Sequence, residues 1–380
     1  MKVLQTSDMH LGKRVHEYSL AEDQRHILKE IVGAVAAEKP DALLIAGDVY
    51  DRAVPSEEAV TMFGNFLGEV NDLGCQIYVI AGNHDSGARL DYCGPLLGRS
   101  GIHIAGRFSG KAERIEAEDV YGKLNVWLLP YFKVSEVRAV SGLQIETYAD
   151  AMAWVLEQSG VDPNERNILV AHQFFTAGKQ PELSDSEDQR FEVGGMLDIP
   201  AGMLDAFDYV ALGHLHIPQS VGRDTIRYCG SPLKYSASEA RTSKSLTAVE
   251  IRGKGDVDVS TVPLNPLRDM RVVTGTLTEI VDAAPRSGPE RQDYIFARLT
   301  EVPAGGVDEI YRAYPNTMSV EIVPREGSGI ADELEMTVVE TESAEELFSR
   351  FYAEMKGEEL SRYQLELLRE CIDLAGRDAE

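Results

Sequence analysis

Five short stretches carry side chains that could do chemistry: Asp8-Met9-His10, Gly47-Asp48, Gly82-Asn83-His84-Asp85, His172, and Gly213-His214-Leu215-His216. Five of the eight histidines of the chain fall inside them. Together they offer carboxylate, amide oxygen and imidazole, without a thiolate. Such donors suit Mn²⁺, Fe or Zn²⁺, and the missing cysteines argue against a structural zinc site. There are more candidate ligands than one octahedral ion could use while keeping positions for water and substrate. They suit two ions sharing a bridging carboxylate. Two metals about 3.5–4 Å apart can clamp an attacking hydroxide and a leaving oxygen on opposite sides of a phosphorus atom, so the reaction class is phosphoester hydrolysis.

The elements around these stretches explain how they could meet. Val3-Leu4-Gln5-Thr6 is a short β-prone run that opens directly into the first stretch. Ala42–Ala46 and Gln76–Ala81 are apolar runs of the kind buried on both faces, and they lead into the second and third. Apolar residues at helical spacing fill the intervals, from Leu20 to Val35 and from Val60 to Val70. Strand, helix, strand, helix, strand predicts a mainly parallel sheet with helices on its faces. Further strands are expected at 102–105, 124–129, 167–171, 208–212, 225–229, 246–251 and 256–262, with a helix near 148–158. His172 and Gly213 again follow strand candidates. Ligands in open α/β sheets bind beyond the carboxyl ends of strands, so five independent loops would point at one place.

The dense strands after residue 200 predict a second sheet packed on the first, an α/β sandwich from 1 to about 265. Pro263-Leu264-Asn265-Pro266 interrupts the pattern, and 268–324 reads strand, helix, strand, helix, strand: a small α+β module. Arg325-Glu326-Gly327-Ser328-Gly329 marks another break. The segment 331–380 holds fifteen acidic and five basic residues and two amphipathic helical patterns, with Gly357 as the turn between them.

A chain of 380 residues with 43% hydrophobic and 26% charged residues has ample material for a core, which excludes a disordered or fibrous protein. The formal charge of −26 argues against a protein that coats nucleic acid with a basic surface. Net charge does not speak against gripping phosphate through metal ions. Cys75, Cys93, Cys229 and Cys371 lie far apart without a CxxC pair, as expected of reduced thiols rather than a disulfide framework. The first residues contain no apolar signal region, and no apolar run reaches bilayer length, so a soluble protein in the cytoplasm is expected, with no membrane association.

Singly, each motif has a plain structural reading. An Asp-x-His is common in loops, and His214 or His216 alone would be a satisfied polar residue at a strand end. His16, His26 and His103 read as ordinary surface or helix residues. Asp85 is expected to orient a neighbouring imidazole or cap the following helix. The ordered set, each member after a predicted strand, carries the metal reading.

Ser7-Asp8-Met9-His10-Leu11-Gly12, Gly47-Asp48-Val49-Tyr50-Asp51-Arg52, Gly82-Asn83-His84-Asp85, Ala171-His172 and Gly213-His214-Leu215-His216 resemble the motifs of calcineurin-like metallophosphoesterases. More narrowly they resemble the SbcD nuclease family, as do Tyr228-Cys229-Gly230-Ser231-Pro232 and Ser243-Lys244-Ser245. The resemblance implies a four-layer α/β/β/α sandwich over 1–265, a capping domain over 266–325, and, over 326–380, a linker and two helices that bind an SbcC-type ATPase. It implies one ion held by Asp8, His10 and His216, another by Asn83, His172 and His214, and Asp48 bridging. His84 would be unligated, placed to stabilise the pentacoordinate phosphate or protonate the leaving 3′ oxygen. Imidazole suits that work because it titrates near neutrality. The implied cofactor is a pair of Mn²⁺ ions, with Mg²⁺ or Fe as alternatives. The implied activity is cleavage of DNA, as a 3′–5′ exonuclease on duplex ends and an endonuclease on single strands and hairpins, in repair and recombination. The implied assembly is a homodimer within a heterotetramer, acting at the nucleoid. Some relatives carry a second histidine where this chain has Asp51.

A non-DNA phosphoester substrate would use the same ligands, but it gives no reason for a capping module and acidic helices. A scaffold without metals is disfavoured because no ligand position is degenerate. Duplex DNA would need a local basic path. Lys13, Arg14, Arg52, Arg89, Lys133, Lys179, Lys234, Arg241 and Lys244 are the candidates, and none forms a run.

Overall fold

The computed structural model describes residues 1–16, 18–185, 198–303 and 306–323, together with Tyr352, Gln364, Leu365 and Leu368. Apolar, β-branched runs too short for helices form its framework. β1 (Lys2–Thr6), β2 (Ala42–Ala46), β3 (Gln76–Ile80) and β4 (Ile102–Ala105) lie parallel and side by side. A second sheet is built from β5 (Glu113–Asp119), β6 (Gly122–Leu129), β7 (Arg166–Ala171), β8 (Tyr209–Leu212), β9 (Gln219–Val221) and β10 (Arg223–Tyr228). Its order is β9-β10-β8-β7-β6-β5, with β6, β7, β8 and β10 parallel. The chain then returns to the first sheet, where β11 (Ser245–Ile251) pairs antiparallel to β1 and β12 (Val257–Pro263) to β11.

Because side chains alternate across a strand, each sheet has two apolar faces to bury. Val3, Leu44, Tyr78 and Ile80 of the first sheet meet Val126, Leu128, Ile168, Val170 and Tyr209 of the second in one fully buried layer. The opposite face of the first sheet packs on α1 (Ala21–Glu38) and α2 (Glu57–Asp72) through Ile27, Ile31, Phe63 and Phe66. That of the second packs on α3 (Val134–Ser141) and α4 (Tyr148–Ser159) through Val137, Met152 and Val155. The result is the expected α/β/β/α order of layers. Among the elements named so far, β5, β9 and α3 were not anticipated. β5 has only half-buried and exposed residues at a sheet edge, β9 is three residues long and α3 eight, so none gives a strong periodic signal.

The two sheets are clamped at the end opposite the loops of interest. Arg166 at the start of β7 donates Nη2 to Asp119 Oδ1 (2.6 Å) and Nη1 to Asp119 Oδ2 (3.1 Å) and to the Arg252 carbonyl (2.8 Å). The Met1 ammonium donates to Asp119 Oδ2 (2.5 Å) and to the Ile251 carbonyl (2.7 Å). Burial alone would raise the Asp119 pKa, but these donors outweigh it and hold the carboxyl well below its ordinary range. A depressed pKa stabilises the fold above the unfolded-state value near 4, and that contribution is lost as pH falls further. Asp119→Asn is therefore expected to cost about 2–3 kcal/mol at pH 7. The deficit should narrow steadily below about pH 4. Urea unfolding at pH 7, 4.5 and 3 measures it; a deficit unchanged across the series would contradict the clamp.

After β12, β13 (Met270–Gly275), α5 (Leu277–Asp282), β14 (Tyr294–Leu299), α6 (Asp308–Ala313) and β15 (Thr317–Ile322) form the small module. Its sheet runs β13-β14-β15, with β13 and β14 parallel. Met270, Tyr294, Phe296 and Met318 join the apolar cluster that contains Leu20 and Ile27. Arg268 Nη1 (2.9 Å) and Tyr294 Oη (2.8 Å) both donate to Asp23 Oδ2 in α1. Residues 1–321 make one compact unit and 322–380 another. Of the two amphipathic helices expected in 331–380, all but Tyr352, Gln364, Leu365 and Leu368, which are helical, lies outside the described residues. Among the described residues, no helix is long and apolar enough to cross a membrane.

Candidate metal centre

The loops after β1 and β2 run together as if the strands continued. Asp8 N donates to the Gly47 carbonyl (3.0 Å), His10 N to that of Asp48 (3.0 Å) and Leu11 N to that of Val49 (2.9 Å). Asp85, in the loop after β3, binds them in place: its carboxylate accepts from Val49 N (3.1 Å), Tyr50 N (2.9 Å) and Gly82 N (3.0 Å). It therefore joins two loops through their backbones and neither orients an imidazole nor caps a helix. Asp8, His10, Asp48 and His214 all have positive φ (52°, 43°, 49° and 99°). Non-glycine residues adopt that region at a cost, and such strain concentrates at functional sites.

All seven expected ligand residues converge. Asp8, His10 and His216 each offer an atom within 4.8 Å of the others, as do Asp8, Asp48 and His172. His10 Nε2 and His216 Nε2 stand 3.1 Å apart. Asn83 Oδ1 lies 3.1 Å from both His172 Nε2 and His214 Nδ1. Between these groups, Asp48 Oδ2 is 3.3 Å from His172 Nε2 and 3.8 Å from His10 Nε2. Second contacts aim the rings and carboxylates. His172 Nδ1 donates to the Ala46 carbonyl (2.7 Å), which turns Nε2 inward, and Asp8 accepts from Ser7 Oγ (2.5 Å) and His214 N (3.0 Å). Gly47 (φ 89°) admits His172 closely, since a Cβ there would sit 2.4 Å from its Nδ1.

The electrostatics fit a cation. Burial pushes His10 well below its ordinary pKa, and burial with the neighbouring His172 brings His214 down to about 3, so both rings are held neutral, the form that ligates a metal. Burial opposes charge on His172 too, but Asp48 outweighs it and raises the ring to about 9. Burial would likewise raise Asp48, yet His172 and His10 hold it well below the carboxylate range. Burial, and then the charge of Asp48, lifts Asp85 to about 6. Among the described residues, His10 Nδ1 is buried without a hydrogen-bond partner, 3.8 Å from Asp51 Oδ1. The two imidazole nitrogens of His10 and His216, 3.1 Å apart beside the Asp8 carboxylate, are within hydrogen-bonding distance of each other and equally within reach of one shared cation. The donor set is that of a divalent-metal centre.

His84 also offers an atom within 4.8 Å of His10 and Asp48, and its ring packs edge-on against that of His10, but it is far less buried than the expected aspartate and histidine ligands. Its Nδ1 donates to the Asp51 carbonyl (3.0 Å), leaving Nε2 4.0 Å from Asp48 Oδ2, and 36% of its side chain is exposed. The contact that aims the His84 ring is thus made by the backbone of residue 51 and not by its side chain. Lys13 Nζ pairs with Asp51 Oδ1 (2.7 Å), and Lys234 Nζ with Asp269 Oδ1 (2.8 Å). Arg52 remains exposed beside Asp51. Lys244, counted among the DNA-facing candidates, is instead buried against Glu239 and unavailable to a polyanion. No local sequence signal pointed to Glu239 or to Tyr235. The ring of Tyr235 packs edge-on against His10 and His216, and its hydroxyl donates to the Met9 carbonyl (2.6 Å).

The family model for calcineurin-like phosphoesterases matches residues 1–218, more than half the chain. The chain belongs to that family. A second model, described as a type 5 capsule protein repressor C-terminal domain, matches residues 266–356. The SbcD component of the nuclease SbcCD from Staphylococcus epidermidis is 32% identical over 378 residues, covering 98% of each chain. Within the phosphoesterases, the chain is an SbcD-type nuclease. Similar solved structures include a dimetal phosphatase from Danio rerio (11% identity, TM-score 0.39, 68% of this chain and 98% of that one). Another is GAP50, the anchor in the inner membrane complex of Plasmodium (12% identity, TM-score 0.43, 86% and 98%).

Proposed function

We propose that this chain hydrolyses DNA phosphodiesters with two Mn²⁺ ions, as the nuclease subunit of an assembly with an SbcC-type ATPase. The reading rests above all on the place of Asp48, whose Oδ2 lies between two groups of inward-facing donors, 3.3 Å from His172 Nε2 and 3.8 Å from His10 Nε2. Asp8, His10 and His216 would hold one ion and Asn83, His172 and His214 the other, with Asp48 shared. Such ions supply a nucleophile at neutral pH and positive charge against the phosphate. The protein's own part is geometric. Asp85 fixes the loops, the Ala46 carbonyl fixes His172, and the Asp51 carbonyl holds the His84 ring with Nε2 4.0 Å from Asp48 Oδ2, where a scissile phosphodiester would lie. There it would donate a proton to the departing 3′ oxygen. Residues 1–265 would be the nuclease domain, 266–325 the cap over the DNA, and 326–380 the ATPase-binding segment, in a homodimer acting at the cytoplasmic nucleoid.

With Lys13, Lys234 and Lys244 all engaged by carboxylates, DNA affinity of this chain alone should be weak and markedly improved by the ATPase. The test compares blunt and hairpin duplexes with a phosphomonoester, in Mn²⁺ or Mg²⁺, with and without that partner. Mn²⁺-dependent cleavage of DNA, enhanced by the partner, is expected. Turnover of the monoester with none of DNA would overturn the assignment.

A further inference from the structure

The Gly230-Ser231-Pro232 and Ser243-Lys244-Ser245 stretches have no part in the chemistry above, yet they meet directly behind one of its residues. Glu239 is fully buried and Lys244 nearly so. The three N–H bonds of Lys244 Nζ are used completely, on Glu239 Oε2 (2.5 Å), the His216 carbonyl (2.8 Å) and Ser231 Oγ (2.9 Å). Glu239 Oε1 accepts from Tyr235 N (3.2 Å) and Ser236 Oγ (3.1 Å), and it faces His216 Nδ1 at 3.7 Å. The other ring nitrogen, Nε2, is the one beside His10. A buried ion pair is a poor source of stability, since apolar residues of similar volume often do as well. Its position supplies a reason for it.

We propose that Glu239 and Lys244 are a positioning pair for His216: Lys244 anchors its backbone, and the Glu239 carboxylate keeps the proton on Nδ1 so that the Nε2 lone pair faces the metal centre. A carboxylate behind a ligating imidazole fixes its tautomer and rotation, and losing it weakens metal binding about 10–100-fold. The inference rests on the reading of His216 as a ligand. Only one of the two ion sites depends on this pair, because His172 is aimed by the Ala46 carbonyl instead.

The test is Mn²⁺ binding by isothermal titration calorimetry, with electron paramagnetic resonance to detect a spin-coupled ion pair, on the whole chain. The wild type should bind two ions and show coupling. Glu239→Gln turns an amide toward Nδ1 and should leave one ion at wild-type affinity while weakening the other about 10–100-fold, with coupling lost at intermediate Mn²⁺. The double variant Glu239→Gln/Lys244→Met leaves no unpaired buried ammonium and should show the same selective loss. Two wild-type affinities in both variants, or equal weakening of both ions, would overturn the pairing alone. A wild type that binds no ion would overturn the metal reading and the pairing together.

Discussion

His84→Gln is expected to lower kcat on duplex DNA about 10²–10⁴-fold, the range of a lost general acid, with two ions still bound. His84 is the one imidazole of the cluster whose ring is partly exposed, and it touches the ligand set through its backbone, its N donating to Asp48 Oδ1 (2.9 Å). Glutamine keeps that N–H, so Asp48 should stay where it is. Glutamine cannot, however, release a proton to an alkoxide. The loss should shrink on an activated diester such as bis(p-nitrophenyl) phosphate, whose leaving group needs no proton. Parallel kcat measurements on the two substrates decide it: a variant within threefold of wild type on DNA would remove His84 from the chemistry.

Asp48→Asn should be at least as damaging, with a fall of about 10³-fold or more in kcat. The electrostatic contribution of one metal ion to a phosphoryl-transfer transition state is several kcal/mol, and each 1.36 kcal/mol is tenfold in rate. Asn preserves shape and the acceptor for His84 N, but it removes the charge that sits between both donor groups. Unlike Glu239→Gln, this change should weaken both ions. Retention of tight binding at either site would show that Asp48 is not shared.

The parallel βαβ framework was legible because its strands are continuous apolar runs and its helices carry strong periodicity. β2, every residue of which is buried, is the clearest case. The ligands were legible because each follows such a strand, so topology alone brings Asp8, Asp48, Asn83, His172 and His214 together. What the sequence concealed depends on contacts between distant loops. Asp85 looked like a helix cap, yet it binds backbone N–H groups of two separate loops, which only the register of β2 against β3 brings within reach. Lys244 looked like a free surface cation because a lysine gives no local sign that a glutamate five residues earlier will bury it. Positive φ at Asp8, His10, Asp48 and His214 could not be foreseen from residues that tolerate that region less readily than glycine.

The most direct test is the metal content of the chain after loading with Mn²⁺ and removal of excess ion, by elemental analysis against protein concentration. Two equivalents per wild-type chain and a clear loss in Asp48→Asn are the expected result. One equivalent or none in the wild type would mean that the converging carboxylates and imidazoles do not form a two-ion centre.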